Sequence, residues 1–124
     1  MRFMMIMVPN VTEADWAPSP EEVAEMTKYN EALRKAGVLL ALDGLQPSSK
    51  GARISFSGGK PSVSDGPFAE SKELIGGYWL IQVRSKEEAV EWASRCPAQD
   101  GDVIEVRQVY EMSDFSPEVQ AAAR

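Results

Sequence analysis

Asp65-Gly66-Pro67-Phe68-Ala69-Glu70-Ser71-Lys72-Glu73 leads through Leu74-Ile75 into Gly76-Gly77-Tyr78-Trp79-Leu80-Ile81, and soon after into Ser85-Lys86-Glu87-Glu88. A carboxylate-bearing turn thus runs into a strand and then into a helix start. From Gly77 to Arg84, Trp79, Ile81 and Val83 alternate with Tyr78, Leu80, Gln82 and Arg84, the period of a strand with a buried face. Ser85 followed by Glu88 is a capping box. Ala89, Trp92, Ala93 and Cys96 then recur at helical spacing until Pro97 blocks continuation.

The upstream segments supply a matching half. Arg2 to Val8 is apolar on both alternating faces, with Met4, Ile6 and Val8 on one and Phe3, Met5 and Met7 on the other, as in a central strand covered on both sides. After a loop from Pro9 to Pro18, Ser19-Pro20-Glu21-Glu22 provides an N-cap, a proline at the first helical position and a carboxylate at the third. Val23, Met26, Asn30, Leu33 and Ala36 follow at helical spacing, and Gly37 ends the helix. Val38 to Leu42 reads as the next strand. Ala52 to Ser57 and Pro61 to Ser64 flank Gly58-Gly59 and read as an inserted hairpin, and Val103 to Tyr110 reads as the last strand. The fold class is therefore α+β, a ferredoxin-like split βαβ arrangement carrying an inserted β-hairpin. One domain over residues 1–112 is expected, with a tail at 113–124 that starts a short helix at Ser116-Pro117-Glu118.

In such a sheet both helices cover one face, so a first strand apolar on two faces predicts a second cover. A second copy of the chain supplies it most simply. Two sheets packed about 10 Å apart would form a dimeric α+β barrel and enclose a space lined by alternate strand residues.

Composition removes several classes of function. The 124 residues suit one hydrophobic core, and a net charge of −6 opposes nucleic-acid binding, which depends on Lys and Arg neutralising phosphates. The chain has no histidine, the commonest metal ligand, so neither a metal nor a cofactor is expected. Its one cysteine, Cys96, cannot close a disulfide within the chain and reads as a small apolar residue at a helix end. The apolar stretch Phe3 to Val8 is too short for a signal-peptide core or a membrane span, and a cytoplasmic location with no membrane partner is the expectation.

The run from Asp65 to Glu73, together with Gly44-Leu45-Gln46-Pro47, resembles the DGPF branch of the YCII-related proteins, and the similarity extends from Arg2 to about Tyr110. That resemblance implies a dimeric α+β barrel with a cleft between helices and sheet or between subunits. Shorter members carry a histidine and an aspartate proposed as a catalytic pair, and this chain has no histidine to match. Members resembling this one are often encoded beside extracytoplasmic-function sigma factors, which implies an alternative to catalysis: an accessory or regulatory module with a sigma-factor partner.

Asp65 and Glu70 are the candidate catalytic residues. An aspartate before Gly-Pro commonly accepts hydrogen bonds from the turn's own N–H groups, but the same turn can hold a carboxylate at a cleft mouth. Desolvated by Phe68 and a neighbouring tryptophan, that carboxylate would have a raised pKa suited to acid or base work near neutrality. If Glu70 converges on it, repulsion would divide the two into acid and base. Glu70 reads equally as part of a solvated turn with Lys72 and Glu73. The candidate ligand-binding residues are Trp16, Phe68, Tyr78 and Arg84. Trp16 either plugs the barrel end or stacks over a ligand, and Tyr78 and Arg84 share a strand face. Arg84 can also cover a barrel rim with its apolar stem, as can Arg53 and Arg107. Gly76-Gly77 enters a strand instead of opening a helix, so close backbone packing or a bulge explains it better than phosphate binding. The expected ligand is a small organic molecule within which a proton moves, as in an isomerase or lyase.

Overall fold

The computed structural model describes residues 1–11, 15–68 and 74–124. Strand β1 spans Arg2–Val8, helix α1 Pro20–Lys35, β2 Leu39–Gly44, β3 Ala52–Ser57 and β4 Lys60–Asp65. β5 then spans Gly77–Gln82, α2 Lys86–Ser94, β6 Val103–Gln108 and α3 Pro117–Ala122. Four strands form an antiparallel sheet in the order β2-β5-β1-β6, while β3 and β4 pair only with each other. Without that hairpin, the order is the one a split βαβ unit produces, with the first strand central and its successor at an edge.

Both main helices begin where the sequence signals them. The Ser19 hydroxyl accepts from the Glu22 N–H at 3.1 Å, and the Ser85 hydroxyl accepts from the Glu88 N–H at 3.1 Å. These bonds satisfy amide donors that the first helical turn leaves open. α1 ends in a Schellman motif: the Gly37 N–H donates to the Arg34 carbonyl and the Val38 N–H to the Leu33 carbonyl, with Gly37 at φ +74°. The positive φ is why glycine stands there.

Phe3, Met5, Trp79, Ile81 and Val83 form the buried side of the sheet, closed by Tyr29 and Leu33 of α1, Val38, and Ala89 of α2. Met5, Leu33 and Ile81 are the largest of the fully enclosed side chains. The buried stripe of α1 differs from the expected one. Tyr29 and Leu33, four residues apart, reach the core, whereas Val23 and Ala36 are exposed. Tyr29 was hidden from a purely apolar pattern by its hydroxyl, which donates to the Trp92 carbonyl at 2.6 Å and so links α1 to α2. Its ring meets Trp79 edge to face at 5.8 Å.

Met4, Ile6, Val8 and Leu80 lie on the other side of the sheet and are half-buried. The strand boundaries differ slightly from those expected. β2 begins at Leu39, because Val38 is drawn into the core at the helix exit, and the pairing with β5 slips between Leu39 and Ala41. None of the described helices is long and apolar enough to cross a membrane.

Cys96 is half-buried and packs against the core. Burial, with a smaller contribution from the charge of Asp102, pushes its thiol up to about 11. At pH 8 the thiolate should therefore be scarce, and a disulfide reagent should label the native protein more than about tenfold slower than the unfolded chain. Equal rates would contradict this packing. Truncation of Ile81 to alanine should cost about 2–5 kcal/mol in a denaturant titration, because the site is closed on all sides.

Candidate functional site

At one end of the molecule the core stops short of filling the space between α1 and the sheet, leaving a cavity of about 360 Å³. That volume lies in the range of small-molecule sites. Met7, Leu42, Gly77 and Trp79 border it from the sheet, and Glu22, Val23, Met26, Thr27 and Asn30 from α1. Pro97 to Gln99, beyond α2, and Trp16 with Pro18, before α1, close the sides. The exposed Val23 thus has a role in the lining: it is apolar because it faces the cavity.

Local backbone geometry creates the room. An added Cβ at Gly77 would stand 2.8 Å from the Asp43 carbonyl oxygen, so β2 and β5 approach there more closely than a side chain permits. The Gly76 N–H donates to the Met7 carbonyl and the Leu45 N–H to the Gly76 carbonyl, which holds the strand entry flat against both neighbours. The glycine pair therefore serves backbone packing, as expected. Across the cavity, Asp102 fixes the loop after α2 by accepting from the Asn10 and Gln99 N–H groups at 2.9 and 3.0 Å.

Asn30 is the polar group on the cavity's inner wall. Its Oδ1 accepts from the Trp79 indole N–H at 2.8 Å, and its partly buried amide also borders the cavity. It interrupts an otherwise apolar helix stripe, and that interruption was the sequence signal for it. The carboxylate residues bordering the cavity are Glu22, Asp43 and Asp102, whereas no lysine or arginine does so among the described residues. Asp43 and Tyr78 face each other across β2 and β5, with the Tyr78 hydroxyl donating to Asp43 Oδ2 at 3.0 Å. That hydrogen bond and the adjacent negative charge raise the Tyr78 pKa above the usual phenol value. Strand alternation turns this pair to the face opposite Trp79 and Leu42, so it flanks the cavity at the sheet edge.

Trp16 and Tyr78 are the two sequence candidates that border the cavity. Trp16 is 56% exposed and also borders a smaller adjoining pocket beside Leu45 and Ile75, so it is not buried as a plug. Asp65 and Phe68 sit elsewhere, at the base of the hairpin. Asp65 is exposed at the end of β4, opposite Ala52. The N–H groups of its turn go to other acceptors, Gly66 to the Gly51 carbonyl and Phe68 to the Ser48 hydroxyl at 3.1 Å. Phe68 lies under the Arg53 guanidinium, 3.9 Å from the ring centroid, and not over a carboxylate. Gly66 is needed because a Cβ would fall 1.7 Å from the Ser48 carbonyl oxygen. Glu70 lies outside the described residues, as do Lys72 and Glu73. Arg84 stands beyond the far end of β5, where its backbone N–H donates to Glu88, and Arg107 pairs with Glu105 at 3.2 Å.

Residues 1–113 match the YCII-related domain. A protein of Rhizobium meliloti (strain 1021), described as uncharacterized, is similar to this chain, 34% identical over 86 residues that make up 68% of each. The matched span runs from β1 past β6 and takes in every described element around the cavity, and on that extent the chain belongs to the YCII-related family.

Proposed function

We propose that this protein binds a small, largely apolar organic molecule, neutral or cationic, in the cavity between α1 and the sheet, and does so as a homodimer. The cavity itself carries the reading: it is concave, mostly apolar and bordered by two tryptophans, with Asn30 as its inner polar group. Such a lining favours a ring or short hydrocarbon bearing one hydrogen-bonding substituent. The charge of the lining sets the ligand class. With Glu22, Asp43 and Asp102 on its border and no described cation on the walls, a carboxylate ligand would enter against like charge and find no counter-ion. An ammonium group would gain from Glu22 and from the face of Trp16.

Proton transfer within the ligand would fall to a carboxylate that reaches it. Glu22 borders the cavity, whereas Asp65 is not among the bordering residues. The homodimer is inferred from Met4, Ile6, Val8 and Leu80, an apolar strip on the side of the sheet away from α1 and α2. Packing that strip against its twin would bury it at the usual sheet-to-sheet spacing.

Phenol, phenethylamine and benzoate are matched probes of similar size and different charge. Titrated against intrinsic tryptophan fluorescence, phenethylamine and phenol should bind and benzoate should not. Trp16→Ala should weaken binding about tenfold, and Glu22→Gln should remove the preference for phenethylamine over phenol. Binding of benzoate as tight as that of phenethylamine, or retention of full affinity in Trp16→Ala, would overturn the assignment.

A further inference from the structure

We infer that the β3–β4 hairpin is a dimerisation arm that lays its apolar face on a second copy of this chain, an inference that rests on the homodimer reading above. The hairpin divides its residues by face at five consecutive cross-strand pairs, and the sixth, Ala52 with Asp65 at the open end, brings one charge to the apolar side. Ile54 opposes Val63 and Phe56 opposes Pro61 on one face, whereas Arg53, Ser55, Ser57, Lys60, Ser62 and Ser64 occupy the other. All of these residues are exposed, with Ile54 at 52%, Val63 at 66% and Phe56 at 76%. Such alternation is the pattern of a strand pair with one covered face, yet within one chain nothing among the described residues covers it. A two-stranded hairpin in water is marginal by itself, and here a tight Gly58-Gly59 turn at φ +59° and +78° closes a full ladder.

Three observations favour a second copy as the occupant. The first is area. From strand spacing and rise, the four-stranded sheet face has a footprint of about 400 Å² and the hairpin about 200 Å². A stable interface takes roughly 800 Å² from each partner, so the sheet face alone falls well short and the arm adds about half as much again. The second is charge. Arg53 and Lys60 against Asp65 leave residues 52–65 positive in a chain of net charge −6, so an arm reaching to a partner carries positive charge towards an acidic body. The third is the edge chemistry. Pro61 removes a backbone donor from β4 and Lys60 places a charge beside it, which discourages open-ended strand addition and leaves the apolar face as the means of association. In a two-fold pair the arms are exchanged reciprocally, and each substitution counts twice.

Sedimentation equilibrium of the full chain tests this with wild type, the double variant Ile54→Ser/Phe56→Ser and the polar-face control Ser55→Lys. Far-UV circular dichroism on each would confirm that the fold persists, as the exposure of the substituted side chains leads one to expect. The wild type and the control should be dimers, and the double variant should have its dimer dissociation constant raised at least about a hundredfold. A dimeric wild type with an equally dimeric double variant would overturn the arm and leave the homodimer standing. A monomeric wild type would overturn both, including any case in which the hairpin binds lipid vesicles or an unrelated protein.

Discussion

The enclosure of Met5 and Ile81 beneath Leu33, with Tyr29 braced between Trp79 and the Trp92 carbonyl, commits both main helices to a single face of the sheet. The rest of the architecture follows from that commitment. β1 lies between β5 and β6, so its Phe3 and Met5 are driven into the core by both neighbours while Met4 and Ile6 point the other way. An antiparallel sheet can leave one face to water when that face is polar, but through this one runs the apolar strip of Met4, Ile6, Val8 and Leu80, flanked by Asp43, Tyr78, Glu105 and Arg107, and that strip is the basis for inferring association.

The cavity is a second consequence of the same packing. α1 extends past the end of the core, so its first two turns lie over sheet residues that cannot fill the gap: Gly77 has no side chain, and Leu42 and Met7 are only partly enclosed. The Trp79–Asn30 hydrogen bond marks the boundary between filled core and open cavity. A buried indole N–H without a partner would cost about 1–3 kcal/mol, so the asparagine is required structurally even where it also faces a ligand. One residue therefore packs against the core on one side and borders the cavity on the other.

Much of this was legible in the residues themselves. Ser19 and Ser85 stop the extended chain and begin helices because a hydroxyl reaches the third amide beyond it, a local event that needs no tertiary partner. Gly37, Gly58 and Gly59 adopt the positive φ angles that their neighbours' patterns demanded. The site was less legible. Asp65 and Phe68 drew attention because a carboxylate beside an aromatic ring in a tight turn resembles a prepared acid. In the fold, however, the turn's amides go to Gly51 and Ser48, and the ring goes to Arg53. Asn30, Val23 and Glu22 passed as ordinary helix residues because their role depends on what is missing opposite them.

Sequence alone determined the order of the elements, their caps and turns, and the faces of β1 and β5, because each follows from backbone geometry and spacing over a few residues. Tertiary structure decided where the core ends and which side chains border the remaining space, Asp65 not among them. Those are questions of how distant segments approach one another, and the closeness of Gly77 to Asp43 or of Tyr29 to Trp92 is set by packing over the whole domain, which no local pattern encodes.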